Sequence, residues 1–118
     1  MKYLCLVYHE RPPGDAQPRC DYDALMDDVR EHREELRLSG HDIASSPLQP
    51  AQSAATIRIR NGKVSITAGS FSEVNQQLSG FYLIEARDLN EAIRLASKMP
   101  PARLGWIEVR PLGEITPQ

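Results

Sequence analysis

The stretch Ala68-Gly69-Ser70-Phe71 brings a hydroxyl, an aromatic ring and a glycine to the point where a regular hairpin gives way to a loop. A nucleophilic serine needs a base within hydrogen-bond reach, and no nucleophile-elbow pattern surrounds Ser70. Ser70 and Glu73 instead have capping-box spacing, so a helix cap is the first reading of Ser70 and a functional group the second. Phe71 reads as a core or pocket-wall residue before a substrate stacker. Three histidines could move protons. His9 ends the first strand beside Glu10, His32 sits within a charged helix, and His41 is followed by Asp42. Adjacent strand residues point to opposite faces, so His41 and Asp42 do not face each other, and capping or edge-strand roles come first for His41. Glu73 is the carboxylate that could work with His9 or His41 as an acid and base pair. No histidine has metal-motif spacing to another ligand, so neither a metal nor a cofactor is expected.

Other groups are weaker candidates. Cys20 precedes a helix start, where the helix dipole favours a thiolate but Asp21 and Asp23 oppose it, and Cys5 reads as packing. Arg58, Arg60 and Lys63 make a small basic face without interleaved aromatics, so solvated strand residues are expected, not a nucleic-acid surface. Glu108 and Arg110 share one strand face with Trp106. They are either interface partners or lining for a pocket shared with Tyr82. Tyr8, with His9, closes the mouth of a central strand and is a ligand-binding candidate.

The elements that must position these groups follow from pattern. Tyr3 to Tyr8 is continuously apolar and predicts a strand buried on both faces. Arg11 to Pro18, with its prolines, predicts a loop. Asp21 or Asp23 is expected to cap a helix carrying Tyr22, Leu25, Met26, Val29 and Leu36 at helical spacing, with a charged outer face and a stop at Ser39-Gly40. His41 to Leu48 predicts an irregular edge strand. Thr56 to Arg60 and Lys63 to Thr67 flank Asn61-Gly62, a type I′ turn dipeptide that sets Ile59 opposite Val64 and Ile57 opposite Ile66.

A short helix is expected from Ser70 through Leu78, stopped by Gly80, and then a strand from Phe81 to Ala86. Asp88 and Glu91 have cap-to-N3 spacing for a helix with the stripe Leu89, Ala92, Ile93 and Ala96, which Pro100-Pro101 ends. Gly105 to Arg110 is the last strand. The order is read as β-α-β-β-β-α-β with a small extra helix, an α+β sandwich with helices on one face of a mainly antiparallel sheet.

The chain has 118 residues and a formal charge of −2. That length predicts one domain over residues 1–118, and the charge disfavours a general nucleic-acid-binding surface. Its two cysteines lack CxxC spacing, which points to a reduced, cytoplasmic protein. The first apolar run is too short for a membrane span or a signal peptide. Two helices cover only one face of the sheet, while the strands at Tyr3 to Tyr8 and Phe81 to Ala86 are apolar on both. A second copy of the chain is the simplest cover, so a homodimer is expected.

Several stretches together resemble the YCII-related family, in the branch named for its DGPF motif. They are Met1-Lys2-Tyr3, Ser39-Gly40-His41 with Pro47-Leu48-Gln49-Pro50, Asn61-Gly62-Lys63-Val64, Gln77 to Ala86, and Ile107 to Pro111. The resemblance runs nearly end to end and implies a ferredoxin-like dimeric α/β barrel. It also implies small enzymes or binding proteins, one of them similar to a dehydrochlorinase, with a His and Asp pair proposed as catalytic in the wider family. Some members are linked to alternative sigma factors. Here Ala68 stands at the motif's aspartate position and Ser70 at its proline position, and a methyl group neither accepts a proton nor makes a hydrogen bond. The resemblance therefore implies small-molecule binding or partner interaction first. A cofactor-free lyase or hydrolase-like enzyme and a sigma-factor accessory domain stand as alternatives.

Overall fold

The pleat period of two decides how this chain packs: in β1 (Lys2–His9), Tyr3, Cys5 and Val7 are buried while Leu4 and Leu6, between them, are half-buried. The computed structural model describes residues 1–9, 19–69 and 77–113. After β1 come α1 (Arg19–Leu38), β2 (Asp42–Pro47), β3 (Ala55–Arg60), β4 (Lys63–Ala68), β5 (Leu78–Glu85), α2 (Leu89–Ala96) and β6 (Gly105–Pro111). Four strands form an antiparallel sheet in the order β2-β5-β1-β6, and β3 and β4 form a separate two-stranded sheet. Without the hairpin, the chain is β-α-β-β-α-β with its first and third strands in the centre. The fold is α+β and ferredoxin-like. The six strands among the described residues match the six segments expected one by one, one more than the order β-α-β-β-β-α-β counts.

The core lies between the helices and one sheet face, where Tyr3, Cys5, Val7, Tyr82 and Ile84 meet Leu36, Ala92, Ala96 and Met99. Burying an aliphatic or aromatic side chain of this kind stabilises by roughly 1.5–3 kcal/mol. Helix α1 contributes Leu25, His32 and Leu36. It starts at Arg19, so Asp21 and Asp23 lie inside it and neither is the cap. It ends at Gly40, φ +81°, with the amide of His41 donating to Leu36 O (3.1 Å) and that of Gly40 to Arg37 O (3.2 Å), a Schellman closure. An ion pair from Arg103 to Asp28 (2.7 Å) ties the 3-10 turn Pro100–Leu104 to α1.

Helix α2 starts as its spacing predicts: Asp88 Oδ1 accepts from the Glu91 amide (2.9 Å), and Glu91 Oε1 accepts from the Arg87 amide (2.9 Å). Its buried stripe is rotated from expectation. Ala92 and Ala96 face the core with Leu95 packed against it, whereas Leu89 and Ile93 are exposed. Small alanines at the contact let the helix approach the sheet closely.

Two further expectations change. The strand expected at Phe81 begins at Leu78, so the helix predicted to reach Leu78 cannot, and the rest of that helix, Ser70 to Gln76, lies outside the described residues. Gly80 is therefore a strand residue. A Cβ there would lie 3.1 Å from Ser46 O and 3.4 Å from Pro47 Cα, so glycine allows the close approach of β2.

The hairpin forms in the expected register, with Ile57 paired to Ile66, Ile59 to Val64, and positive φ at Asn61 and Gly62. It stands apart from the main sheet, with its four aliphatic side chains 61–71% exposed. The radius of gyration is accordingly 16.4 Å, against about 13.5 Å for a compact chain of this length.

Candidate functional site

Beside α1, where β1 ends and β5 begins, the chain leaves a cavity of about 330 Å³. Its wall is built from Val7 and His9 of β1, Leu25 to Arg33 of α1, Ser45 to Leu48 around the end of β2, Ser79 to Tyr82 of β5, and Pro101 and Leu104. Strand geometry explains the placement: His9 follows Val7 by two residues and so faces the helix side, where Tyr82 also lies. The His9 amide donates to Gln77 O (2.9 Å), which fixes the strand end. Burial lowers the His9 pKa and favours the neutral imidazole. Tyr82 is 4% exposed, and burial raises its pKa, the nearby Arg33 charge opposing this and Asp42 and Cys5 reinforcing it. The Ser45 hydroxyl, also in the wall, is buried without a hydrogen-bond partner among the described residues.

His32 sits next to this group and was missed as a core residue. It is 8% exposed, its ring meets Tyr82 edge-on at 6.5 Å, and its Nδ1 has no partner among the described residues. The signal was present in the spacing: Leu25, Val29, His32 and Leu36 follow the 4-3-4 pattern of a helix face. Burial lowers its pKa, with Glu35 raising and Lys98 lowering it further. Cys5 is buried with its thiol pushed up to about 11 by desolvation, the state of a packing residue.

The other predicted site residues disperse. His41 lies at the opposite end of β5, its Nδ1 donating to Glu85 O (2.8 Å) and standing 4.0 Å from Glu91 Oε1. The length of β5 separates the two histidines by roughly 23 Å, so they do not share a cleft. Asp42 has a buried Oδ1 on the helix side with no partner among the described residues. Tyr8 turns to the uncovered face, where it stacks on Trp106 with centroids 5.2 Å apart and planes 9° from parallel. Glu108 and Arg110 share that face, paired at 2.6 Å, while Tyr82 occupies the other face. The sheet itself thus separates that pair from Tyr82.

Ala68 and Gly69 stand at the base of the hairpin. Gly69, φ +86°, donates from its amide to Ala54 O (2.7 Å), and its carbonyl accepts from Thr56 Oγ1 (2.7 Å). Ser70, Phe71 and Glu73 lie outside the described residues. Among the described residues no group of three His, Cys, Asp or Glu side chains could hold a metal ion, and no helix is long and apolar enough to cross a membrane.

Known proteins supply the context for this geometry. The family model of the YCII-related domain matches residues 1–116. An uncharacterised protein of Rhizobium meliloti (strain 1021) is 31% identical over 119 residues, which span 99% of this chain and 96% of the relative. Among solved structures, the chain resembles 5-chloro-2-hydroxyhydroquinone dehydrochlorinase from Burkholderia phenoliruptrix AC1100, in complex with 2,5-dihydroxybenzoquinone. That likeness has a TM-score of 0.49 at 16% identity and covers 96% of this chain and 94% of the other. The match over nearly the whole length places this chain in the YCII-related family.

Proposed function

We propose that this chain is a small-molecule-binding protein of the DGPF-type branch of its family, a single domain acting in the cytoplasm as a homodimer. The observation that carries the proposal is the cavity of about 330 Å³ with His9 and Tyr82 in its wall. That volume is at the lower end of the ~300–1,000 Å³ typical of ligand pockets, room for a single ring or a short chain. The homodimer rests on the uncovered sheet face, where Leu4, Leu6 and Leu83 lie side by side and half-buried in the single chain. Protein-detected NMR against single-ring compounds tests the binding. Shifts are expected at Val7, His9, Ser45 and Tyr82, and Val29→Trp, which fills the cavity from α1, is expected to remove them. Equal shifts in the filled variant would overturn the proposal.

A second reading is favoured by the state of His9. Burial keeps its imidazole neutral, the form that accepts a proton, and sets it in the cavity wall. In a cofactor-free lyase or hydrolase-like reaction, His9 would be the base and Glu73 its carboxylate. A turnover lost in His9→Gln with ligand binding kept would favour this reading.

A further inference from the structure

The standing charges lining the cavity are both basic, Arg30 and Arg33, with no carboxylate among the described lining residues. The two arginines differ in their commitments. Arg30 pairs with Asp27 at 2.7 Å, while Arg33 has no carboxylate within ion-pair distance among the described residues. The cause is local, because the helix neighbours of Arg33 at three and four residues are Val29, Arg30, Leu36 and Arg37, none of them acidic. Arg30 and Arg37 each pair with a carboxylate within one turn of the helix, whereas Arg33 has no acidic residue at that spacing. It lies at the cavity, close enough to act on the Tyr82 hydroxyl. Below it the wall is apolar, with Leu25, Val29, Pro101 and Leu104, and carries the Ser45 hydroxyl, unpartnered among the described residues.

We infer that the cavity selects a small organic carboxylate, its charged group held by Arg33 and its apolar body lying against Leu25, Val29 and Leu104, with Ser45 offering a hydrogen bond. This rests on the cavity being the ligand site. A planar guanidinium presents two parallel donors to a carboxylate, whereas an apolar wall gives neutral and charged rings equal contact. The charge of the ligand is therefore what Arg33 reads.

Benzoate and benzamide, alike in ring and size and different in charge, make the test, followed by NMR titration of the full chain. Benzoate is expected to bind about tenfold more tightly, a modest preference for a charge-assisted pair at an exposed rim. Arg33→Gln is expected to reduce that preference to about twofold, most of the loss falling on benzoate, and Arg30→Gln to change it less. Equal affinity for the two compounds in the native protein would overturn the charge selection and leave the cavity reading standing. A preference kept intact in Arg33→Gln would overturn the role of Arg33. Absence of shifts at cavity residues with either compound would overturn both the inference and the reading beneath it.

Discussion

The two faces of the four-stranded sheet are built from alternate residues of the same strands and reach opposite outcomes. On the helix face, Tyr3, Cys5 and Ile84 are at most 1% exposed and Val7 and Tyr82 are nearly so. On the other face, Leu4, Leu6 and Leu83 are half-buried, and Trp106 is 41% exposed although it stacks on Tyr8. Apolar composition alone therefore does not separate them; what differs is cover. Two helices reach one face, and α2 gets close by presenting Ala92 and Ala96. The uncovered face keeps a charged pair, Glu108 and Arg110, on β6 beside the apolar central strands. Such a face is what one copy can offer another: an apolar centre that gains from burial and a charged flank that sets orientation.

The comparison breaks most visibly in adjacent residues of β5. Ile84→Ala removes a side chain that is 0% exposed and is expected to cost about 2–5 kcal/mol in urea denaturation. Leu83→Ala, one residue away on the uncovered face, is expected to cost less, and its cost should depend on protein concentration if a second copy covers that face. Similar and concentration-independent costs would mean that the two faces do not differ in cover.

Assembly can be read more directly. The native chain is expected to sediment as a dimer at micromolar concentration, and Leu6→Asp, which sets a carboxylate between Phe81 and Glu108 in register, to weaken that dimer by about a hundredfold or more. Unchanged far-UV circular dichroism would show that the variant keeps its fold. A native monomer under the same conditions would overturn the homodimer.

The helix face also carries a pH dependence. Burial holds the folded pKa of His32 and His9 below the ordinary 6.5. Between that value and the lower folded one, the unfolded chain binds protons that the folded chain refuses, so stability is fully present above about pH 6.5 and falls as pH drops through this window. The slope is at most ~1.4 kcal/mol per pH unit for each histidine. Urea midpoints from pH 7.5 to 5.5 measure it, and His32→Phe is expected to flatten it to the share of His9. An unchanged slope in that variant would show that His32 takes up no proton on unfolding.

How much of this was legible in sequence depended on whether the determinant was local. The Asn61-Gly62 turn, the Asp88 and Glu91 box and the stop at Gly40 were read correctly, because a turn or a cap is decided by a few neighbouring backbone groups. The misreadings were tertiary. Gly80 looked like a helix stop and instead answers to Ser46 and Pro47 on another strand, a contact invisible in its own neighbourhood. His32 was grouped with the charged residues around it, although its spacing from Leu36 placed it on the buried face. Leu89 and Ile93 seemed better core residues than alanine, but the close approach of α2 selects small side chains. For the site, Ser70, Phe71 and Glu73 lie outside the described residues. The cavity draws on five separate elements, and only His9 and Tyr82 among its wall residues could be singled out as chemical groups beforehand.

The smallest effect is expected where a residue type is the same as in the core and the surroundings are not. Ile66 is 71% exposed on the hairpin, paired with Ile57, while Ile84 is 0% exposed in β5. Replacing Ile66 by threonine keeps the β-branched shape that suits a strand, so strand propensity is nearly conserved and only side-chain burial is tested. For an exposed position the cost should stay within about 0.5 kcal/mol, several times below that of the same change at Ile84. The aliphatic ladder of Ile57, Ile66, Ile59 and Val64 nevertheless runs unbroken along one face of a hairpin that stands clear of the main sheet. A cost at Ile66 well above this, growing with protein concentration, would mean that the hairpin's aliphatic face is covered in solution and belongs, with Leu4 and Leu6, to the part of the protein that one copy leaves unfinished.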